Sequence, residues 1–515
     1  MSSQEYLSTR DSSPPYLSFE ATVLRGLAPG GGLFIPAAIP TLPSNFLSEW
    51  KDLSFEELAF NVLSLYISSS EIPSADLKKL IAASYSTFRA PQVTPLVPLD
   101  KSKKLYLLEL FHGPTYAFKD VALQFVGNLF EYFLTRRNEG KSSHDASRER
   151  LTVVGATSGD TGSAAIYGLR NKTDVSIFIL YPQGKVSPVQ ELQMTTVSDA
   201  NVHNFVVKGN FDDCQDIVKS LFDDKEFNDK HHIGAVNSIN WARILAQITY
   251  YFYSYFSLVN QSGDENPKVK YVVPTGNFGD ILAGFYAKRM GLPIEKLIVA
   301  TNSNDILDRF WKSGVYEKNP SANDGQDAVK ETLSPAMDIL ISSNFERLLW
   351  YLARENIASS ITEAGQFLQS WMVELKTTGK VTVPKQVLAA GLLEFSSESV
   401  SDQQTIETIK KVYSLTADKY IIDPHTAVGL AASLRHVDGI STYISLSTAH
   451  PAKFGDAVDR ALAGVDDVYS FDKVLPEDFK KLESLPKNVT AIGKADKELV
   501  KTEIEKALKE EGIVF

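Results

Sequence analysis

The most informative chemically capable residue in this chain is a lysine at the opening of a helix, directly after an apolar strand. It lies in Phe111-His112-Gly113-Pro114-Thr115-Tyr116-Ala117-Phe118-Lys119-Asp120. Lys119 would sit beside the positive end of that helix, held by apolar neighbours. Both surroundings disfavour the ammonium form and free the amine, which is what a Schiff-base enzyme needs. A solvated first-turn lysine has the same local pattern, so the other constellations carry the decision.

Four of them lie at strand-to-helix or loop-to-helix junctions. Thr275-Gly276-Asn277-Phe278-Gly279-Asp280 turns backbone amides toward one point at a helix start, an anion cradle suited to a phosphate, although a tight connection reads the same way. Gly155-Ala156-Thr157-Ser158-Gly159-Asp160-Thr161-Gly162 offers hydroxyls and amides to a carboxylate, or simply caps its helix. Ser447-Thr448-Ala449-His450 sets a hydroxyl where it can bond a neutral ring nitrogen, or again a cap. Asn237, Asn240 and Arg243, in Val236-Asn237-Ser238-Ile239-Asn240-Trp241-Ala242-Arg243, supply amides and a guanidinium fit to clamp a phosphate. Arg243 suits a surface carboxylate equally well.

The elements that must position these groups alternate as strand, loop and helix. Strands are expected at Lys104–Leu110, Leu151–Ala156, Val175–Leu180, Asn204–Lys208, Lys270–Pro274, Leu297–Thr301 and Thr442–Ser447. Such alternation argues for a mainly parallel sheet covered by helices on both faces. From Phe118 onward, apolar residues recur at helical spacing with one buried face. Residues 1–95 carry two short helical patterns, Phe55–Ile67 and Ala75–Tyr85, and few strand signals. The aromatic stretch Trp241–Val259 contains Arg243, Gln247, Ser254 and Ser257, so a buried helix is expected rather than a membrane span. Polar stretches at 138–150, 261–267 and 319–330 are expected to be surface loops.

Composition narrows the functional classes. The 515 residues have a formal net charge of -11, 43% hydrophobic and 22% charged residues, and one cysteine. The acidic balance and the lack of a basic tract argue against nucleic acid as a partner. The single cysteine, Cys214, excludes an internal disulfide and a Cys-built zinc site, so no metal and a reducing, cytoplasmic compartment are expected. No secretory pattern is legible at Met1–Leu7.

Together, residues 111–120, 156–162, 236–243, 276–280 and 447–454 resemble the threonine synthase family, in the long form found in fungi and many bacteria. Gly26-Leu27-Ala28 and Gly31-Gly32-Leu33-Phe34-Ile35-Pro36 are similar to that family's leading domain, with Gly30 standing where an acidic residue is expected. The resemblance implies an α/β architecture of pyridoxal-phosphate fold type II, similar to tryptophan synthase β. That means two open, mainly parallel twisted sheets flanked by helices, plus a small, mostly helical N-terminal domain. The expected boundaries are 1–95 for the N-terminal domain and 96–515 for the catalytic region. The latter would divide into a large domain (about 96–135 and 210–515) and a smaller lobe (about 136–209).

The resemblance further implies pyridoxal 5'-phosphate as cofactor and O-phospho-L-homoserine as substrate, converted with water to L-threonine and inorganic phosphate. Carried over residue by residue, Lys119 would form the Schiff base. Gly276, Asn277, Phe278 and Gly279 would cradle the cofactor phosphate, flanked by Thr275 and Asp280, and Thr448 would face the pyridine nitrogen. Thr157, Ser158, Asp160 and Thr161 would meet the substrate carboxylate. Asn237, Asn240, Arg243 and either Lys185 or Lys453 are candidates for the substrate phosphate. The competing readings are a phospho-lyase that releases 2-oxobutyrate, and a non-catalytic binding protein of the same fold. A monomer or homodimer is expected, with no nucleic acid or membrane partner.

Overall fold

The computed structural model describes residues 4–513 except 144, 146 and 319–328. The expected loop at 319–330 therefore lies almost wholly outside the described residues. Two sheets organise the chain. The larger has six strands in the order Phe395–Ser399, Ile294–Thr301, Val269–Pro274, Thr442–Ser447, Leu105–Glu109, Leu96–Asp100. Every pairing is parallel except that of the edge strand Leu96–Asp100, which runs antiparallel to Leu105–Glu109. The smaller sheet is parallel throughout, in the order Thr490–Ile492, Val202–Val207, Val175–Pro182, Leu151–Ala156, Ile233–Gly234. The α/β class, the parallel sheets and the helical covering match expectation.

Residues 136–209, the expected smaller lobe, contribute three strands to the second sheet. That sheet also takes in Ile233–Gly234 and Thr490–Ile492. Its core adds Cys214, Ile217 and Leu221 from the helix Phe211–Asp223, and Val500, Ile504 and Leu508 from the helix Lys497–Glu510. A three-residue strand returning from the far end of the chain has too few positions to display a period. The same reason hides the antiparallel pair Tyr6–Ser8 and Phe34–Pro36 in the leading domain. The two helices expected there are present as Phe55–Leu63, four residues shorter than expected and opened by a Ser54–Glu57 capping box, and Ser74–Tyr85.

Two helices set the position of the site. The helix Lys119–Arg137 is buried on all sides from Asp120 to Phe130, rather than on one face. It is wedged between the 22-residue helix Trp241–Ser262 and the helix Asp160–Leu169 of the smaller lobe. Contact with the latter is backbone-close: a Cβ on Gly127 would lie 1.9 Å from the Gly168 carbonyl oxygen, and one on Gly168 would lie 2.5 Å from that of Leu123. Glycine at both positions lets the helices touch and brings Lys119 toward the smaller lobe. The aromatic helix Trp241–Ser262 is buried along most of its length, as expected. Among the described residues, no helix is long and apolar enough to cross a membrane.

Candidate active site

In open parallel sheets, ligands bind beyond the carboxyl ends of the strands, and the five constellations gather there. Leu105–Glu109, Thr442–Ser447 and Val269–Pro274 are adjacent strands of the larger sheet. They lead, respectively, to Lys119, Thr448 and the Thr275–Asp280 turn. Leu151–Ala156 leads to Thr157–Thr161 from the other sheet.

The Lys119 loop is tied to the end of its neighbouring strand. Phe118 N donates to Thr448 O at 2.8 Å and His450 N to Tyr116 O at 3.1 Å. Inside the loop, Asp120 accepts from Thr115 N at 2.8 Å and from Thr115 Oγ1 at 2.7 Å. Burial pushes the Asp120 carboxyl up to about 6 despite those bonds. Burial also lowers the Lys119 amine to about 8; the Asp160 carboxylate opposes this, while the Arg243 and Lys453 charges add to it. Four charged groups from separate parts of the chain thus converge: Lys119, Asp160, Arg243 and Lys453. The expected depression of Lys119 is present, with burial as its main cause.

Asp160 is held by two partners. Its Oδ1 accepts from Lys453 Nζ and from Gln190 Nε2, each at 2.7 Å. Lys453 is fully buried and also donates to Thr115 O at 2.8 Å. Burial opposes ionisation of Asp160, but the Lys453 and Lys119 charges prevail and hold the carboxyl below the usual carboxylate range. Thr157 Oγ1 accepts from Gly159 N at 2.9 Å and Gly162 N at 2.8 Å, which closes the turn. Ser158 and Thr161 keep part of their surface accessible. These two hydroxyls and the first-turn amides are the groups of this loop open to a carboxylate.

In the cradle, carbonyls are drawn away from the turn. Gly276 O accepts from Ser342 Oγ at 2.7 Å, and Asn277 O accepts from Asn344 N at 3.0 Å. Asn277 Oδ1 accepts from Ser343 Oγ at 3.1 Å. A Cβ on Gly276 would lie 3.0 Å from Ala336 O and 3.1 Å from the Met337 Cα. Phe278 adopts φ 62° and caps the helix Gly279–Met290, whose first amides lack intrahelical acceptors. Thr275 Oγ1 donates to Val273 O at 2.6 Å. Asp280 turns away from the cradle: its Oδ1 accepts from Tyr250 Oη at 2.5 Å and Tyr251 Oη at 3.0 Å. Its Oδ2 is buried without a partner, and burial pushes the carboxyl up to about 7.

The phosphate candidates separate. Asn240 Oδ1 accepts from Ala242 N at 3.0 Å, and its Nδ2 donates to Val23 O at 2.9 Å. That side chain is a helix cap with both ends engaged. Asn237 and Lys185 are exposed. Arg243 is 3% exposed; its Nη1 donates to Val236 O at 3.1 Å, while its Nε is buried with no partner. Burial lowers the guanidinium to about 10. Buried cations are ordinarily paired, so this geometry favours an anion arriving at Arg243. Thr448 is buried beside the loop. Lys453, only a secondary candidate by sequence, and Gln190, not singled out at all, are integral to the site. Among the described residues no cluster of His, Cys, Asp and Glu has the arrangement of a metal site.

Three family models match the chain in succession: "Threonine synthase N terminus" over residues 5–85, "Pyridoxal-phosphate dependent enzyme" over 88–390, and "Threonine synthase, C-terminal" over 426–504. A threonine synthase of Saccharomyces cerevisiae is 60% identical over 517 residues, with 98% of each chain covered. The crystal structure of threonine synthase from yeast superimposes with a TM-score of 0.93 at 59% identity, covering 99% of both chains. A pyridoxal-phosphate-bound threonine synthase from Brucella melitensis does so with a TM-score of 0.86 at 41% identity, covering 98% of this chain and 99% of that one.

Proposed function

Since this chain belongs to the threonine synthase family, a group of pyridoxal-phosphate-dependent lyases, we propose that its substrate is O-phospho-L-homoserine. The products are then L-threonine and inorganic phosphate. The observation that supports this substrate is Arg243, a buried guanidinium with no carboxylate partner among the described residues, close enough to Lys119 for their charges to interact. A substrate carrying a phosphate supplies the missing anion.

The residues fit the cofactor. Lys119 has a depressed amine, the Gly276–Gly279 turn leaves amides for a phosphate, and a Cβ at Gly276 would press on the Ala336–Met337 backbone beside that turn. When bound, pyridoxal phosphate supplies an electron sink conjugated to the substrate's α carbon. Thr448 is the hydroxyl we assign to the pyridine nitrogen. Ser158, Thr161 and the first-turn amides of Asp160–Leu169 orient the substrate carboxylate. An amine lowered to about 8 reaches its free-base form near neutral pH far more readily than an ordinary lysine. Once released by the substrate's amino group, this amine takes the α proton and later returns it. Arg243 would hold the phosphate while a β proton is lost and the Cγ–O bond breaks. Cγ takes up a proton to become the methyl group, and water then adds its hydroxyl to the β carbon as the α proton is returned. The Asp160–Lys453 pair joins the smaller lobe to the end of strand Thr442–Ser447, which keeps the two walls of the cleft together. A reducing, cytoplasmic setting suits the single buried cysteine, and the active form is a monomer or homodimer.

The test is kcat/KM for O-phospho-L-homoserine in Arg243→Met. Loss of a buried charge from its anion costs about 2–5 kcal/mol, so kcat/KM falls at least about 30-fold. An Arg243→Met protein with unchanged kcat/KM would refute the assignment.

A further inference from the structure

The loop that delivers Lys119 is held from outside by a residue that lies beyond the catalytic machinery. Arg89 follows the helix Ser74–Tyr85 of the leading domain. Its backbone N donates to His112 O at 2.8 Å. Its guanidinium reaches two more carbonyls of the same loop, Gly113 O through Nη1 and Pro114 O through Nη2, the latter at 3.3 Å. It also pairs with Asp478, with Nη2 2.9 Å and Nε 3.3 Å from Oδ2. The guanidinium carbon stands 3.8 Å from the centre of the Tyr116 ring, and Tyr116 Oη donates to the same Asp478 Oδ2 at 3.2 Å.

Tyr116 makes this assembly more than a surface ion pair. Three residues before Lys119, it adopts φ 59°, a left-handed conformation that costs a side-chain-bearing residue about 1–2 kcal/mol. Such a conformation persists where its surroundings over-determine it. Here the ring is boxed by Arg89, by Phe479 at 4.8 Å and by His450 at 5.3 Å between ring centres. The inner side of the loop is anchored by Thr448 O, by Lys453 Nζ on Thr115 O, and by Gln193 Nε2 on Thr115 O at 3.1 Å. Arg89 and Asp478 close the outer side.

We propose that Arg89 is a positioning residue: together with Asp478 and the Tyr116 ring it clamps the Gly113–Phe118 loop and fixes the direction in which the Lys119 side chain enters the cleft. The importance of that direction rests on the reading of Lys119 above. The clamp joins three parts of the chain, since Arg89 belongs to the leading region, Tyr116 to the lysine loop and Asp478 to the late helix Glu477–Leu482. Because Arg89 and Asp478 are partly solvated, their ion pair adds little to global stability. Its consequence is local.

The experiment is amide hydrogen exchange on the holoenzyme, with kcat and KM measured in parallel, for Arg89→Ala, Arg89→Lys and Asp478→Ala. Arg89→Ala is expected to raise exchange of the 113–118 amides about tenfold, leave the smaller sheet unchanged, and lower kcat about tenfold with KM altered less than threefold, the scale of a misplaced catalytic group. Arg89→Lys regains under half of kcat, because a compact ammonium lacks the planar fork that spans these acceptors and stacks on the Tyr116 ring. Asp478→Ala, which leaves the carbonyl bonds intact, falls between. Wild-type kcat with unchanged loop exchange in Arg89→Ala overturns the proposal. So does exchange raised uniformly across the protein, which marks a merely structural residue. Failure of the Lys119 reading is seen separately, as turnover retained in Lys119→Ala, while the exchange result reports on the loop alone.

Discussion

Replacing Lys119 with Met is expected to abolish turnover while making the cofactor-free protein more stable at neutral pH. Burial, which the Asp160 carboxylate opposes, holds the Lys119 amine at about 8 against an ordinary 10.5. At about 1.4 kcal/mol per pH unit, keeping that ammonium in the folded chain at pH 7 costs about 3 kcal/mol. Lys119 leaves part of its surface open to the cleft, and screening by water trims the figure to about 2 kcal/mol. Met fills a similar volume without a charge, and Asp160 retains Lys453 and Gln190, so no carboxylate is orphaned. Below pH 8 the folded and unfolded chains both carry the proton and the whole penalty is present. Between about pH 8 and 10.5 only the unfolded chain keeps it, and the penalty fades as pH rises. The assay is the Tm of both cofactor-free proteins from pH 7 to 10. For a chain of this length, about 2 kcal/mol corresponds to about 2 °C. Lys119→Met should lead by that margin at pH 7 and by less than half of it near pH 10. An equal or lower Tm at pH 7, or a gain that ignores pH, refutes the reasoning.

Three further outcomes follow from the same geometry. Lys453→Met leaves Asp160 buried without its nearest cation, at a cost of about 3–5 kcal/mol. Adding Asp160→Asn should recover part of the lost Tm, and a fully additive double variant would contradict a direct pair. Gly276→Ala forces a methyl against Ala336 O and the Met337 Cα; crowding worth about 1–3 kcal/mol should weaken pyridoxal phosphate binding at least about fivefold in an absorbance titration, and unchanged affinity counts against the cradle. Burial raises the Asp280 carboxyl from 3.8 to about 7, so the folded chain holds its proton longer and the group's cost grows as pH rises from about 4 to 7. Asp280→Asn should flatten stability against pH across that window, and an unaltered slope in thermal unfolding would contradict it.

The motif around Lys119 was legible because a five-residue buried strand, a Gly-Pro turn and a long apolar helix each carry a strong local signature. The cradle and the Thr157–Thr161 turn were legible for the same reason. Residues whose meaning depends on distant partners were not. Asn240 has the composition of a phosphate ligand, yet its two side-chain atoms are engaged by Ala242 and by Val23, 217 residues away. Asp160 reads as a ligand for substrate, whereas its carboxylate meets Lys453, from the other end of the chain. Lys185 and Lys453 were equivalent by type and differ only by burial, which tertiary packing decides. The strand Thr490–Ile492 was not legible, because three residues carry no period and only the open edge of a sheet gives them a place. Arg89 followed no motif either, since its role lies in the carbonyls it reaches.

Conversion of O-phospho-L-homoserine to threonine through Lys119 is the activity proposed for this chain. The most direct test is a product balance on the purified holoenzyme with that substrate. Threonine and inorganic phosphate should appear in equal amounts, and neither should appear with Lys119→Ala. Phosphate accompanied by 2-oxobutyrate would instead mark a phospho-lyase on the same scaffold, and the claim would fail.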